Sequence, residues 1–181
     1  GKKMFDISGL YDPATAMVNL NTTADKLPVD FLNPLLKMFA SGISGTASGK
    51  LNFTGNLKYP VLTGVLMTEN ASMKIDFLQT KYRFSDSIRL DNSGIKFNNI
   101  IALDDRGNTA TITGAVYHRY FKDFVVDLAI KTDECMVLNT KAKDSDLFYG
   151  TAYASGVTTI KSSGPVLSFD ISAKTGKNTR F

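Results

Sequence analysis

Apolar and polar side chains alternate over most of this chain. Lys50-Leu51-Asn52-Phe53-Thr54, Met73-Lys74-Ile75-Asp76-Phe77, Tyr82-Arg83-Phe84 and Ile88-Arg89-Leu90-Asp91 each place apolar groups on one side of an extended backbone and polar groups on the other. That is the period-two signature of a half-buried strand. Ile95-Lys96-Phe97, Ala110 to Val116, Phe124 to Lys131, Met136 to Leu138 and Leu167 to Ile171 repeat it. Turn-forming clusters separate them: Asn70-Ala71-Ser72, Ser85-Asp86-Ser87, Asp91 to Gly94, Asp104 to Asn108, Lys143 to Asp146 and Ser162 to Pro165. Intervals of roughly 8 to 12 residues between turns predict an up-and-down antiparallel sheet whose neighbours are joined by hairpins.

One stretch breaks the alternation. Between Lys26 and Phe39, the apolar residues Phe31, Leu32, Leu35, Leu36 and Phe39 recur every three or four positions, the stripe of an amphipathic helix. Pro28 suits a first helical turn and Ser41-Gly42 a stop. The expectation is one short helix over about residues 28–39, packed on an end or edge of the sheet and shielding it from wrong pairing.

Composition narrows the picture. A hydrophobic content of 43% over 181 residues excludes a disordered chain and fits one domain. The longest apolar runs, such as Ile100-Ile101-Ala102-Leu103, fall far short of the roughly 18 residues of a membrane helix. The net charge of +4 is spread along the chain with acids between the bases, so no nucleic-acid partner is expected. No signal peptide or anchor is visible at Gly1-Lys2-Lys3-Met4-Phe5, and the alternation is still running near Arg180-Phe181. Residues 1–181 are therefore expected to be a single all-β segment of a longer protein.

Candidate chemistry adds little. His118 is the only histidine and sits in the aromatic stretch Val116-Tyr117-His118-Arg119-Tyr120-Phe121, where a structural role is the better reading than general base. Cys135, the only cysteine, forms no internal disulfide and has Glu134 rather than a cation beside it, so nothing marks it as a nucleophile. Asp104-Asp105-Arg106-Gly107-Asn108 lacks the alternating oxygen ligands and distal Glu of a calcium loop and reads as a turn. Asp144 and Asp146 likewise read as a turn beside lysines. Gly42, Gly45, Gly49 and Gly55 match no phosphate-binding pattern and suit bends or bulges in curved strands. No catalytic residue, cofactor or metal is expected.

Two regions carry a family resemblance. Gly42-Ile43-Ser44-Gly45-Thr46-Ala47-Ser48-Gly49-Lys50-Leu51-Asn52-Phe53-Thr54-Gly55, followed by Tyr59-Pro60-Val61-Leu62-Thr63-Gly64-Val65-Leu66, resembles the repeated glycine-bounded strand signature of TamB-type translocation and assembly proteins of the AsmA-like superfamily. Thr80 to Phe84, Ile95 to Asn99, Asp105 to Ala110, Gly114 to His118 and Phe148 to Ala152 are similar to that family's C-terminal region. The resemblance implies a long curved antiparallel sheet, a β-taco with an open apolar trough. A closed β-sandwich or barrel built from the same residues is the alternative. It also implies a periplasmic protein of a Gram-negative bacterium, anchored in the inner membrane and working with an outer-membrane barrel of the Omp85 class.

The implied function is non-enzymatic. The trough would carry phospholipid, or another acyl-chain ligand, between inner and outer membranes, or aid outer-membrane protein assembly. The alternatives are a β-augmentation scaffold for unfolded outer-membrane protein strands, or a structural module of a surface protein. About thirteen strands at ~4.8 Å spacing would give a trough of roughly 60 Å. Its expected lining is Leu51, Phe53, Leu62, Leu66, Met73, Ile75, Phe77, Tyr82, Phe84, Ile88, Leu90, Ile95, Phe97, Ile101, Leu103, Ile112, Val116, Val126, Leu128, Ile130, Leu138, Phe169 and Ile171.

Overall fold

The alternating segments form strands longer than the pattern alone delimits. In the computed structural model, which describes residues 4–37, 40–144, 149–163 and 166–180, the strands are β1 (Phe5–Asp12), β2 (Met17–Pro28), β3 (Ala40–Asn56), β4 (Tyr59–Ile75), β5 (Thr80–Phe84), β6 (Ser87–Asp91), β7 (Gly94–Leu103), β8 (Thr109–Arg119), β9 (Lys122–Thr140), β10 (Gly150–Ser163) and β11 (Val166–Thr175). All belong to one antiparallel sheet in the order β1-β2-β3-β4-β5-β7-β8-β9-β10-β11, with β6 pairing β4 and β7. The sheet does not close into a barrel. Among the described residues, each end strand pairs on one side only.

Several boundaries differ from the sequence reading. β1 and β2 were outside the expected strands, because Gly9 interrupts the alternation of the first and Asn, Thr and Asp crowd the second. Asn70-Ala71-Ser72, expected as a turn, lies inside β4, and the separate segments 124–131 and 136–138 are one strand, β9. Ser85 and Asp86 do interrupt a strand, yet β5 and β6 lie end to end at one position between β4 and β7. Ten positions at ~4.8 Å span roughly 45 Å, shorter than the thirteen-strand expectation.

The helix is also shorter than expected. A 3-10 turn (Asp30–Leu32) leads into a single α turn, α1 (Asn33–Leu36); Met38 and Phe39 lie outside the described residues. Asn33 fixes this segment to β3, its Oδ1 accepting from the Ile43 N–H (2.9 Å) while its Nδ2 donates to the Ile43 carbonyl (2.9 Å). Val29 is buried against Ile43 and Ala47, with Leu32, Leu66 and Met73 packed around them. Phe31 points outward, 56% exposed.

The long strands bend through bulges with a repeated chemistry. Lys26, Asn70 and Glu134 adopt the left-handed conformation, with φ of 52°, 50° and 45°, where a β-bulge frees one N–H from the ladder. In each case a serine hydroxyl accepts that N–H. Lys26 donates to Ser48 Oγ (2.8 Å), Asn70 to Ser85 Oγ (2.9 Å) and Glu134 to Ser155 Oγ (2.8 Å). The bulges coincide with register shifts in the β2–β3, β3–β4 and β9–β10 pairs.

Removing one of these hydroxyls leaves an N–H without its protein partner at a solvent-accessible bend. Ser48→Ala, Ser85→Ala and Ser155→Ala should each lower stability by about 0.5–1 kcal/mol, and Ser155→Ala should add to either of the others, whereas the Ser48 and Ser85 sites are linked by the Lys26–Glu69 ion pair at 3.7 Å. Urea unfolding measures this. Glu134→Gly, which relieves the left-handed backbone, should move stability the other way.

Candidate functional site: the concave apolar face

Directly paired residues of antiparallel neighbours share a face, so the registers carry one face across the whole sheet. Beginning at the Phe53–Leu62 pair, it passes from β4 to β6 through Gly64–Leu90 and Leu66–Ile88, and on to β7 at Leu90–Ile95. It continues through Ile95–Val116, Val116–Val126, Leu128–Ile160 and Ile160–Phe169. In the other direction it includes Leu20, opposite Phe53, and Gly9 beside Leu20.

Twenty of the expected lining residues fall on this face: Leu51, Phe53, Leu62, Leu66, Met73, Ile75, Tyr82, Phe84, Ile88, Leu90, Ile95, Phe97, Ile112, Val116, Val126, Leu128, Ile130, Leu138, Phe169 and Ile171. Leu138 is buried, Phe169 and Ile171 on the end strand are 59% and 64% exposed, and the others are half-buried. Three residues lie elsewhere. Between Phe97 and Ile100 the β7–β8 register shifts around Asn99, whose φ is 55°. That extra residue turns Ile101 and Leu103 to the opposite face and puts Ile100 and Ala102, each 2% exposed, on the apolar one. Phe77 follows the end of β4, in the Asp76–Gln79 turn, and is 70% exposed.

Residues the sequence reading omitted extend the face to both ends of the sheet. On β1 they are Phe5, Ile7 and Tyr11, 43%, 54% and 54% exposed, and on β11 Leu167, 52% exposed. Their signal was available, since Phe5-Asp6-Ile7 alternates like the strands already identified. Gly64 and Gly114 also lie on this face. A side-chain Cβ at either would sit 2.2 Å from a neighbouring strand's carbonyl oxygen, of Lys50 and Asp127 respectively, so these two positions require glycine.

The face is concave. β5 and β9 are separated by β7 and β8, three strand spacings or roughly 14 Å in a flat sheet. Yet the Tyr82 hydroxyl donates to the Met136 carbonyl at 2.7 Å and the Asn139 N–H donates to the Leu78 carbonyl at 2.9 Å. Both contacts pass beyond the tip of the β7–β8 hairpin, which ends at the 104–108 turn. Beneath them Ala102, Ala110 and Cys135 are buried with Tyr82, Phe84, Ile112 and Ile130. The sheet thus curls toward its apolar side and is drawn together along this rim.

Asp104 holds the curl. Its side chain is fully buried and accepts four hydrogen bonds: from the N–H groups of Arg106 (2.8 Å), Asn108 (2.9 Å) and Met136 (2.9 Å) and from Asn108 Nδ2 (3.0 Å). Burial works to raise its pKa, but the bonds from Met136, Asn108 and Arg106 outweigh that and hold the carboxyl below its ordinary value. Both oxygens are engaged by donors, so this carboxylate closes a turn and ties it to β9. Among the described residues no cluster of three or more His, Cys, Asp or Glu is placed to hold a metal ion.

Among the described residues, Cys135 and His118 do not meet each other: the thiol is buried beside Asp104 and the imidazole stacks on Phe121. Burial, with Asp104 nearby, pushes the Cys135 thiol up to about 12. His118 lies at the other end of the β8–β9 pair, stacked on Phe121 at 4.4 Å, its Nδ1 accepting the Phe121 N–H at 3.3 Å.

With the fold in place, one comparison is informative. Residues 98–180 match the family model of the TamB C-terminal domain. This match supports a TamB-type fragment. The match begins in the β7 bulge and runs through β11, and the strands before it continue the same sheet without a break in pairing. No curated protein and no solved structure matches the chain. The TamB domain match points to a bacterial envelope protein with a role in outer-membrane assembly or lipid transport. No helix among the described residues is long and apolar enough to cross a membrane.

Two measurements probe the curled rim. Asp104→Asn should destabilise the protein by about 3 kcal/mol, because at least one buried donor then faces an amide NH2. Asp104 ionises at lower pH in the folded protein than in the unfolded one. Its contribution is therefore present above about pH 4 and lost as pH falls through the folded value, so the variant should show a shallower acid dependence in urea titrations. The Cys135 thiol should resist a disulfide reagent at pH 8 in the native protein and react at once in denaturant.

Proposed function

We propose that the concave face receives the acyl chains of phospholipids and shields them from water on their way between the inner and outer membranes. The observation that supports this most is an apolar face that runs unbroken from β1 to β11 and remains exposed on both end strands. A sheet with one apolar face must cover it with a second layer, close on itself or leave it for a ligand. Here one short helical segment at one rim is the only non-strand cover among the described residues. A 16-carbon chain carries on the order of 13 kcal/mol of transfer cost into water, at about 0.8 kcal/mol per methylene. A lining of aliphatic and aromatic groups without fixed polar ligands offsets that cost while letting the chain slide. In this reading the protein acts in the periplasm of a Gram-negative bacterium, held to the inner membrane by a part of the full-length protein, and delivers to an Omp85-class barrel.

A second reading rests on a different observation. Among the described residues the outer edge of β11 has no partner strand, so an unfolded outer-membrane protein segment can add there by β-augmentation.

The readings separate experimentally. Organic extraction of the purified chain should yield phospholipid, and Leu128→Asp or Leu90→Asp should reduce the recovered lipid at least ten-fold while far-UV circular dichroism stays that of the parent. Lipid-free protein that also fails to take up a fluorescent fatty acid sinks the lipid reading. Binding of a barrel-strand peptide by that same lipid-free protein would favour augmentation.

A further inference from the structure

The rim opposite Asp104 carries a second surface that the apolar face does not use. The β3–β4 and β8–β9 hairpins both outrun the shorter β6–β7 hairpin and meet beyond it, with Tyr59 against Tyr120 at 5.0 Å between ring centroids. Lys58, Tyr59, Arg119, Tyr120, Lys122 and Asp123 surround one pocket of about 380 Å³. Beside it stand Leu57, Phe121 and Phe124, 55%, 37% and 53% exposed.

The charges of this rim are unbalanced in a specific way. Its acids are committed: Asp12 accepts from the Ala14 N–H and the Thr15 hydroxyl, and Asp91 from Ser93 and Gly94 with Lys96 nearby at 3.9 Å. Asp123 faces Arg119 at 3.6 Å. Lys58 and Lys122 have no acidic partner among the described residues, so the pocket presents two free ammonium groups and two phenols beside exposed apolar side chains.

The turn itself points to function. Tyr120 and Phe121 occupy the two central positions of the β8–β9 hairpin with φ of 55° and 59°. Such turns strongly prefer Asn-Gly, and bulky aromatic residues there are strained. Strain held at a tip whose two aromatic residues remain 40% and 37% exposed is the kind found where a binding surface is built.

We propose that the joined β3–β4 and β8–β9 tips dock on the headgroup layer of an anionic phospholipid bilayer. Lys58 and Lys122 meet lipid phosphates, Tyr59 and Tyr120 sit at the polar boundary as phenols do in membrane interfaces, and Phe121 enters the acyl edge. Docking in this way brings one rim of the sheet to a membrane surface. It does not depend on what the concave face carries.

Flotation with vesicles tests it. The 181-residue chain should bind phosphatidylglycerol-containing vesicles, weaken as salt rises, and bind pure phosphatidylcholine vesicles poorly. Lys58→Gln with Lys122→Gln should weaken binding roughly 25-fold, at about five-fold per cation near an anionic surface. Tyr120→Asn with Phe121→Gly gives the hairpin its preferred turn residues, so it should raise the melting temperature while abolishing docking. Phe121→Trp, in a chain with no other tryptophan, should show blue-shifted emission on phosphatidylglycerol vesicles. Leu128→Asp should leave docking intact, which separates failure here from failure of the lipid-carrying reading. Equal, salt-independent binding to both vesicle types overturns the proposal, as does parent-like binding by the Asn-Gly turn variant or unshifted tryptophan emission from vesicle-bound protein.

Discussion

The interstrand hydrogen-bond ladder is the constraint on which the rest of this protein depends. With most of the described residues in strands of one sheet, main-chain polar groups find their partners chiefly in neighbouring strands, and among the described residues no second layer stands behind the sheet to absorb an error. A slip of one residue in any pair would turn a strand's whole apolar set to the wrong face. Pairing must therefore be corrected wherever a strand bends. The left-handed residues Lys26, Asn70, Asn99 and Glu134 supply the correction, and at three of them a serine restores the hydrogen bond that the bulge removes.

Curvature is the second consequence of a lone sheet. An apolar face without a facing layer is shielded only as far as the sheet can bend over it. Here the bend is fixed by polar contacts near one rim: the Tyr82 hydroxyl on the Met136 carbonyl and the Asp104 carboxylate on the 104–108 turn and the Met136 N–H. Burial for Tyr82 and hydrogen bonding for Asp104 keep each group in the protonation state that its contact needs. Burial pushes the Tyr82 phenol up to about 12, so it remains a donor, while the bonds to Asp104 keep it ionised and accepting. Toward β1 and β11 the apolar side chains stand exposed.

The two rims divide the labour chemically. One carries the helical segment, the buried carboxylate and the cross-strand ties, all of which consume polar groups internally. The opposite rim carries hairpin tips whose aromatic and basic side chains are turned outward. An up-and-down sheet produces this division readily, because alternate turns always lie at opposite rims and are free to diverge in composition while the ladder between them is kept.

Alternation along the chain was enough to determine an all-β architecture with one apolar face, and residues from Leu51 to Ile171 share that face where pairing runs without interruption. The reason is local: in an extended backbone, side-chain direction follows from position parity alone. Parity carries no information about an inserted residue. Ile101 and Leu103 continue the alternation of Ile95 and Phe97 on paper, but the bulge at Asn99 reverses their direction, and neither Asn98 nor Asn99 announces it. The same holds for Asn70, which reads as a turn and is a bend within a strand, and for Tyr120-Phe121, which fill a turn position that sequence preference assigns to other residues. Only the tertiary structure decided that the sheet stays open, how far it curls, and that Tyr82 reaches Met136 across two intervening strands, because those outcomes depend on contacts between residues far apart in the chain.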